Sequence, residues 1–345
     1  MLKPFLSSLW VIVLVLASCS LPAQAPAHIS TTIPTLTATA SPPPTATASL
    51  LPTISLTPDP YYNWSNAYLR SRTYGGGQIE FLEVMDQNLY FTRYLIRYPS
   101  DGLSIYGFAN IPNDEEIHPV VIALHGYIDP AVYNTLDYTT RYADALATAG
   151  YIVLHPNLRG YRPSDDGENL FRVGMAIDVL NLIAIVQSQS AGTDPLKNAN
   201  PASIGLWGHS MGGGISTRVI TVSDDVKAAV LYAPMTGDEQ TNYAAIREWS
   251  GQERGIEELN VPVEALGSIS PIYFFENISA ALSIHHGTAD ELVPMSWSVT
   301  TCERLNLLGK NVECLYYEDM PHTFYGQGEE QFIQNSIDFF NRYLK

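Results

Sequence analysis

Ser203-Ile204-Gly205-Leu206-Trp207-Gly208-His209-Ser210-Met211-Gly212 is the stretch that decides the fold. Its first half, Ser203–Trp207, is a short apolar run of strand type, and a helical pattern begins at Met211. Between them stands G-x-S-x-G. In that context the two glycines mark a turn too sharp for side chains close to the backbone, and the serine is held in strain at its apex. The turn lifts the Ser210 hydroxyl to the carboxyl end of a sheet, where α/β folds place their ligands. The start of the following helix favours negative charge developing there.

The surrounding chain repeats this alternation. Pro119–Leu124, Tyr151–Leu154, Ala228–Tyr232 and Leu282–His285 are apolar runs of the kind buried on both faces of a parallel sheet. Leu89–Tyr98 and Leu103–Ala109 read as two strands joined by the turn signal Ser100-Asp101-Gly102. Val173, Ile177, Leu180 and Ala184 recur at helical spacing, as do Ile333, Ile337, Phe340 and Leu344 near the end. Strands alternating with helices predict an α/β fold with a mostly parallel central sheet of about eight strands, helices on both faces, and no internal repeat.

A serine hydroxyl needs a base to become a nucleophile, and the base needs an acid to orient it. With the serine at the strand–helix turn, the chain order is Ser, then Asp or Glu, then His. Asp290 follows the strand Leu282–His285, and His322 is the only histidine beyond it. Asp319 and Glu291 are the competing acids; Asp319 is too near His322 in sequence for the usual arrangement. The oxyanion hole needs two backbone N–H groups. Met211, after the nucleophile, supplies one. Tyr127, after His125-Gly126 in the loop beyond Pro119–Leu124, supplies the other.

The remaining histidines read as structural. His125 shapes its loop, and His209 packs against neighbours. His285 and His286 are adjacent on a strand, point to opposite faces and make a poor chelate. No metal or cofactor is expected. The segment from Gly237 to Ser270 mixes charge with Tyr243, Ile246 and Trp249, and is expected to form a small cap on the substrate pocket.

The N-terminus is of another kind. Lys3 and the apolar run Leu9–Ala17 have signal-peptide anatomy, and the run is too short to span a bilayer. Leu16-Ala17-Ser18-Cys19 resembles the lipobox of bacterial lipoproteins, which implies cleavage after residue 18 and lipidation of Cys19. Residues 19–60 are dominated by Thr, Pro, Ala, Ser and Leu and predict a disordered tether, leaving 61–345 as the catalytic domain. The expected location is the outer face of a bacterial membrane, held by the lipid. A formal net charge of −17 excludes nucleic acid as a partner. With Cys19 lipidated, Cys302 and Cys314 remain. Two buried free thiols are the expected state, and a bridge is the alternative that export permits.

Tyr98–Pro112 (YPSDGLSIYGFANIP), PVVIALHGY, Tyr151–Gly160 (YIVLHPNLRG), GHSMGG and HGTADELVP together resemble the catalytic domain of the prolyl oligopeptidase (S9) family of α/β-hydrolases, over roughly residues 90–345. The resemblance implies an α/β-hydrolase fold, with Ser210, Asp290 and His322 as catalytic residues and Tyr127 at the oxyanion position. It also implies a serine hydrolase forming an acyl-enzyme on small peptides or esters. That family's propeller is not expected here, since only the tether precedes the domain, and this raises a broad carboxylesterase as the alternative to a peptidase. A non-catalytic surface binding module is the third reading, opposed by the intact elbow and the order of the three residues.

Overall fold

The apolar runs are strands of one nine-stranded sheet. The computed structural model describes residues 59–190 and 192–345. The leader, Cys19 and the tether up to residue 58 therefore lie outside the described residues. The strands are β1 (Glu80–Gln87), β2 (Phe91–Ser100), β3 (Leu103–Pro112), β4 (His118–Leu124), β5 (Ile152–Pro156), β6 (Ala199–His209), β7 (Val226–Tyr232), β8 (Ala281–Gly287) and β9 (Val312–Tyr317). Their order across the sheet is β1-β2-β3-β5-β4-β6-β7-β8-β9. β1, β2 and β3 pair antiparallel, as does β3 with β5, and every pairing from β5 to β9 is parallel. The turn between β2 and β3 has positive φ at Asp101 and Gly102, the backbone that a two-residue hairpin requires.

The helices are α1 (Asn66–Ser71), α2 (Thr140–Thr148), α3 (Val173–Gln189), α4 (Met211–Val222), α5 (Glu239–Trp249), α6 (Val263–Ile269), α7 (Met295–Leu307) and α8 (Gly326–Leu344). Successive strand residues point to opposite faces, and the core divides accordingly. Val120, Ile122, Ile204, Leu206, Leu282 and Ile284 join the apolar cluster shared with α3 and α4. Val121, Ala123, Trp207, Val230 and Tyr232 join the one shared with α2 and α8. The central strands are buried on both faces, which is why they read as apolar runs rather than alternating ones. The helical stretch Leu170–Gln189, which ends in α3, is long and apolar enough to cross a membrane, but it is largely buried inside the protein.

Two features depart from expectation. The sheet has nine strands because β1 lies on its edge, mostly exposed and broken by register irregularities. It buries too little to impose a hydrophobic period on its sequence. The expectation of free thiols is overturned: Cys302 on α7 and Cys314 on β9 are bonded to each other, and both are half-buried. The helix packs beside the strand and presents the two side chains to one another, a juxtaposition that their spacing in the chain does not encode.

Candidate active site

β6 ends at His209 and α4 begins at Met211, so Ser210 alone makes the turn, with φ 55° and ψ −114°. Positive φ is unfavourable for a side-chain-bearing residue. The turn is held from β7: Ser210 N–H donates to Tyr232 O at 2.9 Å, and Ser210 O accepts from Met235 N at 3.0 Å and Gly214 N at 3.1 Å. The flanking glycines are required by space. A Cβ on Gly208 would stand 2.4 Å from Gly212 O, and one on Gly212 would stand 2.3 Å from Leu124 O.

Asp290 follows β8, and His322 lies in the loop between β9 and α8. Their link is short, with His322 Nδ1 2.7 Å from Asp290 Oδ2. Asp290 has its full complement of donors. Oδ1 accepts from Leu292 N and Val293 N, both at 2.9 Å, while Oδ2 also lies 3.1 Å from His286 Nε2. Burial alone would push this carboxyl up. The hydrogen bonds from His286, His322 and Val293 outweigh it and hold the group well below the usual carboxylate range. Asp319 and Glu291 are exposed, and the described hydrogen bonds join His322 to Asp290 rather than to either of them.

Ser210, Met211, Gly126, Tyr127 and His322 line one cleft of about 960 Å³. Among the described residues no hydrogen bond joins Ser210 Oγ to the His322 ring. Such bonds are often long in unliganded enzymes and tighten when substrate binds. The Tyr127 and Met211 amides are not engaged by other protein groups among the described residues. His125 is fully buried between Gly126 O (2.7 Å) and Asn157 O (2.9 Å), and burial lowers its proton affinity. It shapes its loop and does not line the cleft.

The excursion after β7 forms the roof. Ile246 and Trp249 of α5, with Glu253, Arg254 and Glu258 beyond it, line the cleft. At the root of the cap, Glu239 is buried between Arg172 and Arg218 and ion-paired with both. At its tip, the Arg254 guanidinium lies 4.3 Å from the centre of the Tyr127 ring. The opposite wall is the loop after β5, anchored by the buried Arg159–Asp178 pair at 2.8 Å. The two adjacent histidines are each engaged on both ring nitrogens. His285 meets Ser283 Oγ and Tyr317 Oη, and His286 meets Ser298 Oγ and Val293 O.

Sequence reasoning passed over three contributors here. The sequence marks His286 only as half of a poor chelate, and its position four residues before Asp290 is the available signal. Tyr138, whose hydroxyl lies 2.7 Å from His209 Nδ1, and Arg254 carry none, because those partners are far away in the chain.

The prolyl oligopeptidase family matches this chain over residues 137–345. Among solved structures, acetyl xylan esterase 1 from a Thermoanaerobacterium species is similar at 19% identity and TM-score 0.61, over 82% of this chain and 94% of that one. The acylaminoacyl peptidase of Pyrococcus horikoshii is similar at 23% identity and TM-score 0.58, over 74% of this chain but only 42% of that one. A puromycin-hydrolyzing peptidase of Mycobacterium tuberculosis is similar at 21% identity and TM-score 0.55, over 75% and 40%. At these identities the solved structures establish the fold, a mostly parallel sheet flanked by helices.

Proposed function

The chain belongs to the prolyl oligopeptidase family and is a serine hydrolase of esters or peptides, and we propose that Ser210, His322 and Asp290 carry out its reaction on short-chain carboxylic esters in preference to peptides. The observation that carries this reading is the meeting of a strained Ser210 and a His322 oriented by a buried, ionised Asp290 at one cleft. Ser210 Oγ attacks the carbonyl carbon as His322 takes its proton, and Asp290 holds the imidazole in the required tautomer. The N–H groups of Tyr127 and Met211 receive the charge that forms on the carbonyl oxygen. His322 then returns the proton to the leaving alkoxide. Water enters by the same route in reverse, releases the acid and restores the serine.

The ester preference follows from the leaving group. An alkoxide departs with less protonation by His322 than an amine needs. The esterase neighbour is also matched over nearly its whole length, whereas the peptidases are matched over less than half of theirs. The cleft wall contributed by the cap is apolar and aromatic at Ile246 and Trp249, which suits an acyl chain or a hydrophobic alcohol. Cleavage by Ser210 is tested with a fluorophosphonate probe: the wild-type chain is labelled and Ser210→Ala is not. The substrate is tested on a panel of p-nitrophenyl esters and aminoacyl nitroanilides. Nitroanilides or acylated peptides cleaved efficiently, with esters poor, would restore the peptidase reading.

The same proposal places the enzyme outside the bacterial cytoplasm, tethered through a lipid on Cys19. The Cys302–Cys314 bridge supports that location, because such bonds persist in oxidising compartments.

A further inference from the structure

One line of hydrogen bonds joins the three loops that meet at the cleft, and the acyl-transfer steps do not consume it. Gly126 N lies 2.7 Å from Tyr138 Oη, Tyr138 Oη lies 2.7 Å from His209 Nδ1, and His209 Nε2 lies 3.0 Å from His322 O. The polarity of every link is fixed. A carbonyl oxygen only accepts, so His209 Nε2 carries a hydrogen. Burial disfavours the imidazolium strongly, so Nδ1 is bare and accepts from the Tyr138 hydroxyl. The Tyr138 oxygen is then left to accept from the Gly126 N–H.

The geometry points to Tyr138 and His209 as positioning residues that set the oxyanion loop in register with the loop carrying His322. The inference rests on the reading of Ser210, His322 and Asp290 given above. Gly126 has no side chain with which to brace its loop. A Cβ there would stand 2.7 Å from Tyr138 Oη and 3.1 Å from Ser210 Cβ. The loop is thus seated on the serine; the hydrogen bond from Gly126 N–H to Tyr138 holds one side of Gly126, and the bond of Gly126 O with His125 Nδ1 holds the next peptide, which carries the Tyr127 N–H. At the other end, His322 is held twice, by Asp290 at its ring and by His209 at its carbonyl. His209 itself is buried, 2% exposed, and stacked on Tyr232 with ring centres 4.2 Å apart. One buried imidazole therefore relates the group that takes the proton to the group that receives the charge.

The test compares a p-nitrophenyl ester with the matching thionoester, whose sulfur is a weak acceptor and gains little from a well-placed N–H. Tyr138→Phe removes one oxygen and two of the three links. Its kcat on the oxygen ester should fall about 10- to 100-fold, while KM stays near wild type, the melting temperature drops by only a few degrees, and the thionoester rate falls by less than about threefold. His209→Phe keeps the stacking on Tyr232 and should behave alike. The double variant should lose no more than the worse single, because both break one line. Equal losses on the two esters, additive losses, or native rates in Tyr138→Phe would overturn the inference. Tyr138→Phe keeps the test decisive if the elbow variant fails to fold. A wild-type chain that takes no fluorophosphonate and cleaves no ester overturns the site reading and this inference together.

Discussion

His286 and Asp290 stand four residues apart and meet inside the protein, with the histidine Nε2 3.1 Å from the same carboxylate oxygen that receives His322. Both side chains are wholly buried. A second imidazole, whose Nε2 is shared between the carboxylate and Val293 O at 3.0 Å, thus faces Asp290 from inside the protein. Replacing His286 by Leu removes one donor to a buried charge and should cost about 1.5–3 kcal/mol at neutral pH, read by chemical denaturation. It should also move the acid edge of stability. A carboxylate whose folded value is depressed contributes fully above its unfolded value, about 3.9, and the contribution fades as pH falls through the folded value. With one donor gone the folded value rises toward the unfolded one, so the acid loss of stability still begins near the unfolded value but is smaller and is complete at a higher pH. An acid loss of unchanged depth would show that Asp290 is stabilised without His286.

Asp290→Asn should lower kcat by about 10³- to 10⁴-fold, because an amide permits the wrong imidazole tautomer. Asp319→Asn should stay near wild type, since Asp319 is exposed and its hydrogen-bonded group is the backbone amide, which donates to Thr288 Oγ1. Steady-state kinetics on one ester separates the two, and a damaged Asp319 variant with a healthy Asp290 variant would reverse the assignment.

Arg254→Ala should raise KM about two- to fivefold with kcat nearly constant, the value of one partly exposed cation–π contact. The same guanidinium lies 3.9 Å from Asp129, but both groups are largely exposed, and such pairs contribute little. Asp129→Asn should therefore leave KM within error of wild type. If the two substitutions act equally, the ion pair and not the tyrosine face holds the cap tip.

Cys19→Ala should abolish incorporation of a palmitate analogue in growing cells and release the enzyme from the membrane fraction. Labelling that persists in the variant would refute lipidation at this position. Thiol titration of the wild-type protein in denaturant without reductant should find Cys302 and Cys314 unreactive.

The sheet was legible because strands buried on both faces are written as unbroken apolar runs, as β4 is from Val120 to Leu124. β1 was not, because an exposed edge strand is held by main-chain pairing and by contacts such as Arg97 with Glu80, which leave no period in the sequence. Ser210, Asp290 and His322, proposed as the reacting set, could be named from the sequence because reaction chemistry restricts which residue types must follow one another. Their supports could not. Tyr138 and His209 are 71 residues apart, and His209 and His322 are 113 apart, so nothing local relates them. The Cys302–Cys314 bond was missed for a similar reason: it depends on how α7 docks beside β9.

The cap is a cantilever. Its root, Glu239, is clamped between Arg172 and Arg218 in the protein interior, while its far end touches the loop after β4 through Arg254 alone among the described ion and cation–π pairs. The turn at that end carries positive φ at Gly251, Gln252 and Gly255. Length and composition can therefore drift between residues 250 and 257 without disturbing the core, whereas Glu258 accepts from the buried Phe171 N–H. The enzyme's choice of substrate is free to evolve at the tip while its folding is decided at the root.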